Sequence, residues 1–334
     1  MEHSALLRIS LLSATILAVA SCGSGYPQVP QSSVNPPLSE RRSVGARSWM
    51  EPNAKGRLLY VSDYNNNIVQ VYNYPSKGTQ NPPAGTLTGF SGGPQGMCID
   101  KSHNVYITNN FDQDVLKYAY GASTPSATYA VVGDFPVGCA WDPTTGNLAV
   151  ADDFGAEGGV GVVNICRSPS KCSEEEEPAG LLECFFIVYM PNGDLYVDGM
   201  NSYGFAMAYR AKAATSWQPV SVSGVTINFP GNIQWDGHYL ALGDQEGPLG
   251  YSVIYRCSPS FAHLTCNGGQ VPLRTSTDVV QFFITRDGKG VVGPDGANAD
   301  TWAYPAGGDP LPKKIIHVKQ ENAKNIGAAI LSPP

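Results

Sequence analysis

The sequence predicts an all-β protein, a six-bladed β-propeller of four-stranded antiparallel blades whose ring is closed by the N- and C-terminal strands. Three observations predict it: a recurring strand signature, two further series in phase with that signature, and a final strand that supplies what the first repeat lacks. The signature is a short apolar run ending in a polar residue. It occurs as Leu59-Tyr60-Val61-Ser62-Asp63, Val105-Tyr106-Ile107-Thr108-Asn109, Leu148-Ala149-Val150-Ala151-Asp152, Leu195-Tyr196-Val197-Asp198, Leu240-Ala241-Leu242-Gly243-Asp244 and, degraded, Gly290 to Asp295. Successive copies stand about 43 to 51 residues apart, the length of one four-stranded blade.

The second series follows about ten residues downstream as an alternating strand with a late aromatic, as in Val71-Tyr72-Asn73-Tyr74, Lys117-Tyr118-Ala119-Tyr120 and Trp302-Ala303-Tyr304. The third precedes the signature, as in Gly96 to Asp100, Gly138 to Asp142 and Asn232 to Asp236, with turn formers such as Pro143 to Asn147 between them. The chain enters this pattern on a second strand and leaves it on a lone first strand, Ile326 to Leu331. Pairing the two removes exposed sheet edges and places Ala328 beside Tyr60.

Composition agrees. The 334 residues include 37 Gly and 26 Pro scattered at turn-like intervals, and only 15% are charged. The formal charge is −7 and no basic cluster exceeds a pair, which argues against nucleic acid as a partner. Residues 1–21 read as an export signal: Arg8, an apolar run from Ile9 to Ala20, then Val19-Ala20-Ser21-Cys22, which resembles a bacterial lipobox with Cys22 as the lipidated residue. Residues 22–55 are rich in Pro, Ser, Gly, Gln and Asn and read as a disordered tether, leaving 56–334 for the propeller. The expectation is a monomer on the cell envelope (outer membrane or cell surface) that meets the membrane through its lipid only.

The unit Pro94-Gln95-Gly96-Met97-Cys98-Ile99-Asp100, Asn104 to Asn109, Val115-Leu116-Lys117-Tyr118 resembles the NHL repeat, and Pro136-Val137-Gly138 with Trp141-Asp142 and Asn147 to Asp152 matches it again. The resemblance is clear in about half of the blades. It implies a propeller and is nearly silent on function, because such folds host scaffolds, sensors and enzymes.

Cys166 with Cys172, and Cys257 with Cys266, flank short loops after third strands and are expected to form disulfides, which export permits. Cys98, Cys139 and Cys184 fall on innermost strands. Cys98 and Cys139 sit one step out of register in the repeat, so their side chains face opposite ways, and they are read with Cys184 as free buried thiols. The histidines are too dispersed to build a triad or a metal cluster.

The remaining polar series collects on the face that carries the links between second and third strands. Asp63, Asn109, Asn110, Asp152, Asp153, Asp244 and Asp295 are its candidates for a ligand-binding rim. The first reading of them is that they cap their own turns. The leading expectation is a non-enzymatic binding or scaffolding module for a protein or glycan, with no cofactor. The alternative is similarity to the gluconolactonase/regucalcin-like six-bladed propellers, which hold calcium at inner-strand entrances. That resemblance would give Glu183, Asn232, Asp278 and Asn325 as oxygen ligands for Ca and imply lactone hydrolysis. The entrances Pro94-Gln95 and Pro136-Val137 depart from that pattern.

Overall fold

The computed structural model describes residues 47–52, 54, 56–75, 82–172, 174–312, 316–317 and 322–334. The export signal, Cys22 and the tether up to residue 46 lie outside them.

Six small antiparallel sheets follow one another along the chain. Blade one is Pro94–Ile99, Val105–Asn109, Asp114–Tyr118 and Ala127–Ala130; blade two is Pro136–Trp141, Leu148–Asp152, Val162–Cys166 and Glu174–Glu176. Blade three is Glu183–Tyr189, Leu195–Asn201, Gly204–Arg210 and Gln218–Pro219. Blade four is Pro230–Trp235, Leu240–Asp244, Val253–Ser260 and Gln270–Pro272, with a side ribbon of His263–Thr265 and Ser221–Ser223. Blade five is Phe283–Ile284, Gly290–Asp295, Asn298–Ala303 and Ile316–His317. Blade six joins the chain's extremities: Asn325–Leu331 is its innermost strand, followed by Arg57–Asp63, Ile68–Tyr74 and Gly85–Leu87. Trp49–Met50 pairs with Gly85–Leu87 as a fifth, outer strand, so regular structure begins upstream of the expected residue 56.

Second strands are apolar on both faces because each blade is covered by a neighbour on either side. Leu58, Leu59, Tyr60 and Val61 are all fully buried, as are Leu148 to Ala151. Burying each such large side chain is worth roughly 1.5–3 kcal/mol, so the repeats cohere by stacking.

Ring closure is as expected, with a one-residue correction. Tyr60 pairs with Ala329 and Val61 with Ala328, not Tyr60 with Ala328. A β-bulge between Val61 and Asp63 moves the register by one, and the expected register holds only beyond it, where Asp63 pairs with Asn325. The same irregularity recurs in blades one to four. Backbone amides freed there are taken up by the second strand: Gly96 N–H donates to Thr108 Oγ1 (2.8 Å), Gly327 N–H to Ser62 Oγ (2.7 Å) and Phe186 N–H to Asp198 Oδ1 (2.9 Å). The inner strands touch at this level. A side chain at Gly96 would run into the Val137 carbonyl and one at Gly138 into that of Phe185. Where no glycine stands, Asn232 N–H donates to Val280 O (2.9 Å) and Gln281 N–H to Ile326 O (3.2 Å).

The Cys166–Cys172 and Cys257–Cys266 disulfides are present. The reading of Cys98 and Cys139 as free thiols is overturned: they form a disulfide with Cα atoms 5.6 Å apart. Opposite orientation forbids a bridge within one sheet, but consecutive blades present opposite faces to each other. A side chain on the leading face of blade one therefore meets one on the trailing face of blade two. Cys184 alone among the described cysteines is free, and it is buried.

Candidate functional site

The two ends of the ring differ in chemistry. On the face of the links between second and third strands, the acidic series is mostly buried and engaged. Asp152 accepts from Phe135 N–H (3.0 Å) and Asn164 Nδ2 (2.8 Å). Asp244 accepts from the N–H groups of Phe229, Asn228 and Glu246 at 3.1–3.2 Å. Asp63 accepts from Asn66 Nδ2 (2.7 Å) and Lys324 N–H (3.1 Å), and Asp295 from Thr277 N–H (2.9 Å). Each carboxylate thus fastens the segment that leads into its own blade's innermost strand. Asn109 donates to Asp112 (2.7 Å) and Asp114 (3.1 Å), while the buried Asn110 amide, oriented so that both of its atoms find partners, points its nitrogen at the carbonyls of Gly93 (2.7 Å) and Pro136 (3.0 Å). These side chains hold the loops in place; they do not line a common rim. Asn109 Oδ1, Asp153 Oδ1 and Asp244 Oδ2 are buried without a partner.

The four inner-strand entrance residues fall into separate surroundings. Glu183 acts electrostatically on Asp153, whereas the charges around Asp278 are Lys324, Asp295 and Glu246. Asn232 Nδ2 donates to Phe282 O (2.8 Å) and Asn325 Nδ2 to Gly296 O (2.7 Å). No group of three metal-ligating His, Cys, Asp or Glu side chains is assembled among the described residues. At this end Val137, Val280 and Ile326 pack in one apolar cluster with Tyr64, Phe135 and Phe185.

Midway along the axis, the Gln281 side chain crosses the innermost strand of blade six. Its Oε1 accepts from Met97 N–H (3.0 Å) and Ala328 N–H (3.2 Å), and its Nε2 donates to Met97 O (3.0 Å). Gly327 leaves the room for this, because a Cβ there would approach Gln281 Oε1 and collide with the Gln95 carbonyl. Beyond Gln281, toward the turns between first and second strands, a cavity of about 580 Å³ opens. All six innermost strands line it, with Met97, Ile99, Trp141, Tyr189 and Phe283 on the walls, the Cys98–Cys139 bridge beside them, and Arg57, Lys101, His103 and Arg286 also contributing.

Several carboxyls carry shifted affinities for protons. Burial, then the charges of Glu183 and Asp152, pushes Asp153 up to about 8. Burial pushes Asp114 up to about 7 and Asp300 to about 6. In the native state these groups hold protons that the unfolded chain releases near pH 4, so stability falls as pH rises from about 4 toward 8. Asp100, Asp142 and Asp236 act oppositely: burial raises them, but hydrogen bonds outweigh it and hold them below the usual range. Their contribution is lost on acidification through those lowered values. Thermal melts between pH 4 and 9 should show the midpoint declining toward alkaline pH, and Asp153→Asn should flatten that decline. An unchanged slope in the variant would contradict this assignment.

Neither the cavity nor a second feature was predicted from the sequence. On the acidic face, large apolar side chains stand exposed over consecutive blades: Phe111, Val132, Phe154, Val160, Leu182, Tyr203 and Leu249. Tyr203 is 99% and Leu249 72% exposed. Backbone bonds tie their loops together, from Asp134 N–H to Phe154 O (2.9 Å) and from Gly161 N–H to Leu182 O (2.7 Å). Apolar residues at loop tips were the available signal, but strand periodicity does not reach them.

The ring of six sheets, its terminal closure and its two unlike ends define a six-bladed β-propeller. No protein-family model matches the chain, and no curated protein matches it in sequence. Among solved structures, it is similar to a chain in the crystal structure of a nidogen/laminin complex, at a TM-score of 0.61 and 14% identity. That match covers 83% of this chain and 99% of the other, and it shows a common fold.

Proposed function

We propose that this protein is an exported, lipid-anchored, non-enzymatic binding module that docks a basic protein surface on the acidic, apolar face. The observation that carries it is the set of exposed Phe111, Phe154, Val160, Leu182, Tyr203 and Leu249 on loops of consecutive blades on one face. Isolated exposed apolar residues need no explanation, but a run of them over neighbouring loops is the composition of a protein interface. Asp112, Asp134, Glu157 and Glu246 lie in the same loops, which favours a partner carrying Lys or Arg around an apolar centre. The structural neighbour comes from a protein–protein complex, which is compatible with this reading. Three disulfides suit an exported protein. The NHL resemblance and the lipobox at Cys22 complete the reading: a propeller held to the envelope by its lipid, acting as a monomer.

Photo-crosslinking in the producing cell tests it. A photoreactive residue at Tyr203 or Leu249 should give a discrete protein adduct that is lost at high salt, whereas one at Phe261, on the opposite face, should not. Equal labelling from both positions, or none from Tyr203 and Leu249, would refute the docking face. Cys22→Ser should move the protein out of the membrane fraction.

A further inference from the structure

The central cavity lies on the other side of Gln281 from the docking face, and its chemistry is different. At about 580 Å³ it falls within the ~300–1,000 Å³ range of small-molecule sites. Its walls give apolar and aromatic surface from Met97, Ile99, Ile187, Trp141, Tyr189 and Phe283. The charged residues that line it are Arg57, Lys101, Arg286 and Asp100. The one acid among them is spent. Asp100 accepts from Ser102 N–H (2.8 Å), Asn104 N–H (2.9 Å), Asn104 Nδ2 (2.7 Å) and Tyr106 OH (3.1 Å), and it pairs with Lys117 at 3.6 Å.

Nearby, the Asp287 carboxylate interacts electrostatically with Arg57 but is also held by Thr285 Oγ1 (2.6 Å) and Lys289 N–H (3.2 Å). His103 donates from Nδ1 to the Ser332 carbonyl (2.9 Å), which fixes its ring on the rim. The mouth therefore presents positive charge on a chain whose net charge is −7. Positive charge at the edge of a concave, low-dielectric site concentrates anions there.

The site is also held in shape before any ligand arrives. Gln281 lines it and is fixed by bonds to two other innermost strands, and the Cys98–Cys139 bridge fixes blade one against blade two in its wall. A site that does not have to order itself loses less on binding.

We propose that this cavity binds a small organic anion with an apolar or aromatic body, its acidic group at the Arg57, Lys101 and Arg286 rim and its body against Trp141, Tyr189 and Phe283. The acid could be a carboxylate, a sulfonate or a phosphate ester, since the rim chemistry is common to all three. The proposal is independent of the docking face and stands or falls without it.

Fluorescence titration with 1-anilinonaphthalene-8-sulfonate tests it, with uncharged N-phenyl-1-naphthylamine as the control and the folded state of each variant checked by thermal melting. The sulfonate should bind one to one, and R57Q/K101Q/R286Q should weaken it roughly tenfold or more while changing the neutral probe less than twofold. Because the exposed apolar face could also take up the dye, F154D/Y203D/L249D should leave the sulfonate affinity unchanged. Benzoate and phenyl phosphate then compete in separate arms to rank the acid groups. Equal loss of both probes in the charge variant, no loss of either, or loss of sulfonate binding in the docking-face variant would overturn the proposal.

Discussion

Ending the chain at Lys324 is expected to abolish the cooperative fold. The removed strand, Asn325–Leu331, is buried at every position and pairs along the length of Arg57–Asp63. Ile326, Ile330 and Leu331 alone contribute roughly 5–9 kcal/mol of burial, comparable to the ~5–15 kcal/mol total stability of a typical domain. The truncation also strips Ser62 and Gln281 of their bonds to Gly327 and Ala328 and exposes the edge of Arg57–Asp63, which invites aggregation. Circular dichroism should show no sharp melt, and a peptide spanning 322–334 added in trans should restore one. A truncated chain that melts within a few degrees of the intact one would mean that the ring does not depend on its terminal strand.

The second large effect is expected from Cys98→Ala/Cys139→Ala. This bridge spans a sequence separation of 41, against 6 for Cys166–Cys172 and 9 for Cys257–Cys266. Chain-entropy arguments give about 4 kcal/mol for closing a loop of that length and about 2.5 kcal/mol for the shorter ones. At roughly 2–4 °C per kcal/mol, the inter-blade variant should melt about 8–16 °C lower. Cys166→Ala/Cys172→Ala should lose only a little over half as much. The inter-blade variant should also loosen the cavity wall, because it frees two neighbouring innermost strands. Equal or reversed losses would argue that the inter-blade bridge does not constrain the unfolded chain as the fold requires.

The fold was legible because a blade hides its apolar surface only against another blade, which forces the signature to recur in phase. The terminal closure followed from the same logic. The register error at Ala328 came from a bulge, whose extra residue leaves no periodic trace, although Gly96, Gly138 and Gly327 mark its position once the inner strands are seen to touch. Strand alternation within a sheet does not reveal the Cys98–Cys139 bond, because that bond crosses between sheets. The site was less legible. Asp63, Asp152 and Asp244 recur because the backbone needs an acceptor at that point, so their repetition reports architecture. The exposed Tyr203 and Leu249 do not recur at all. The cavity is assembled from residues of all six innermost strands, Gln281 among them, and only their three-dimensional convergence shows it.

All assignments of residues to one face or the other rest on consecutive innermost strands meeting face to face around a closed ring. Mapping the disulfides of the native protein by mass spectrometry of peptides released without reduction tests this most directly. A crosslinked peptide pair joining Cys98 to Cys139, with Cys184 recovered as a free thiol that reacts with alkylating reagent only after unfolding, is the expected result. Cys184 in a disulfide, or Cys98 and Cys139 both recovered as free thiols, would contradict the arrangement of the blades.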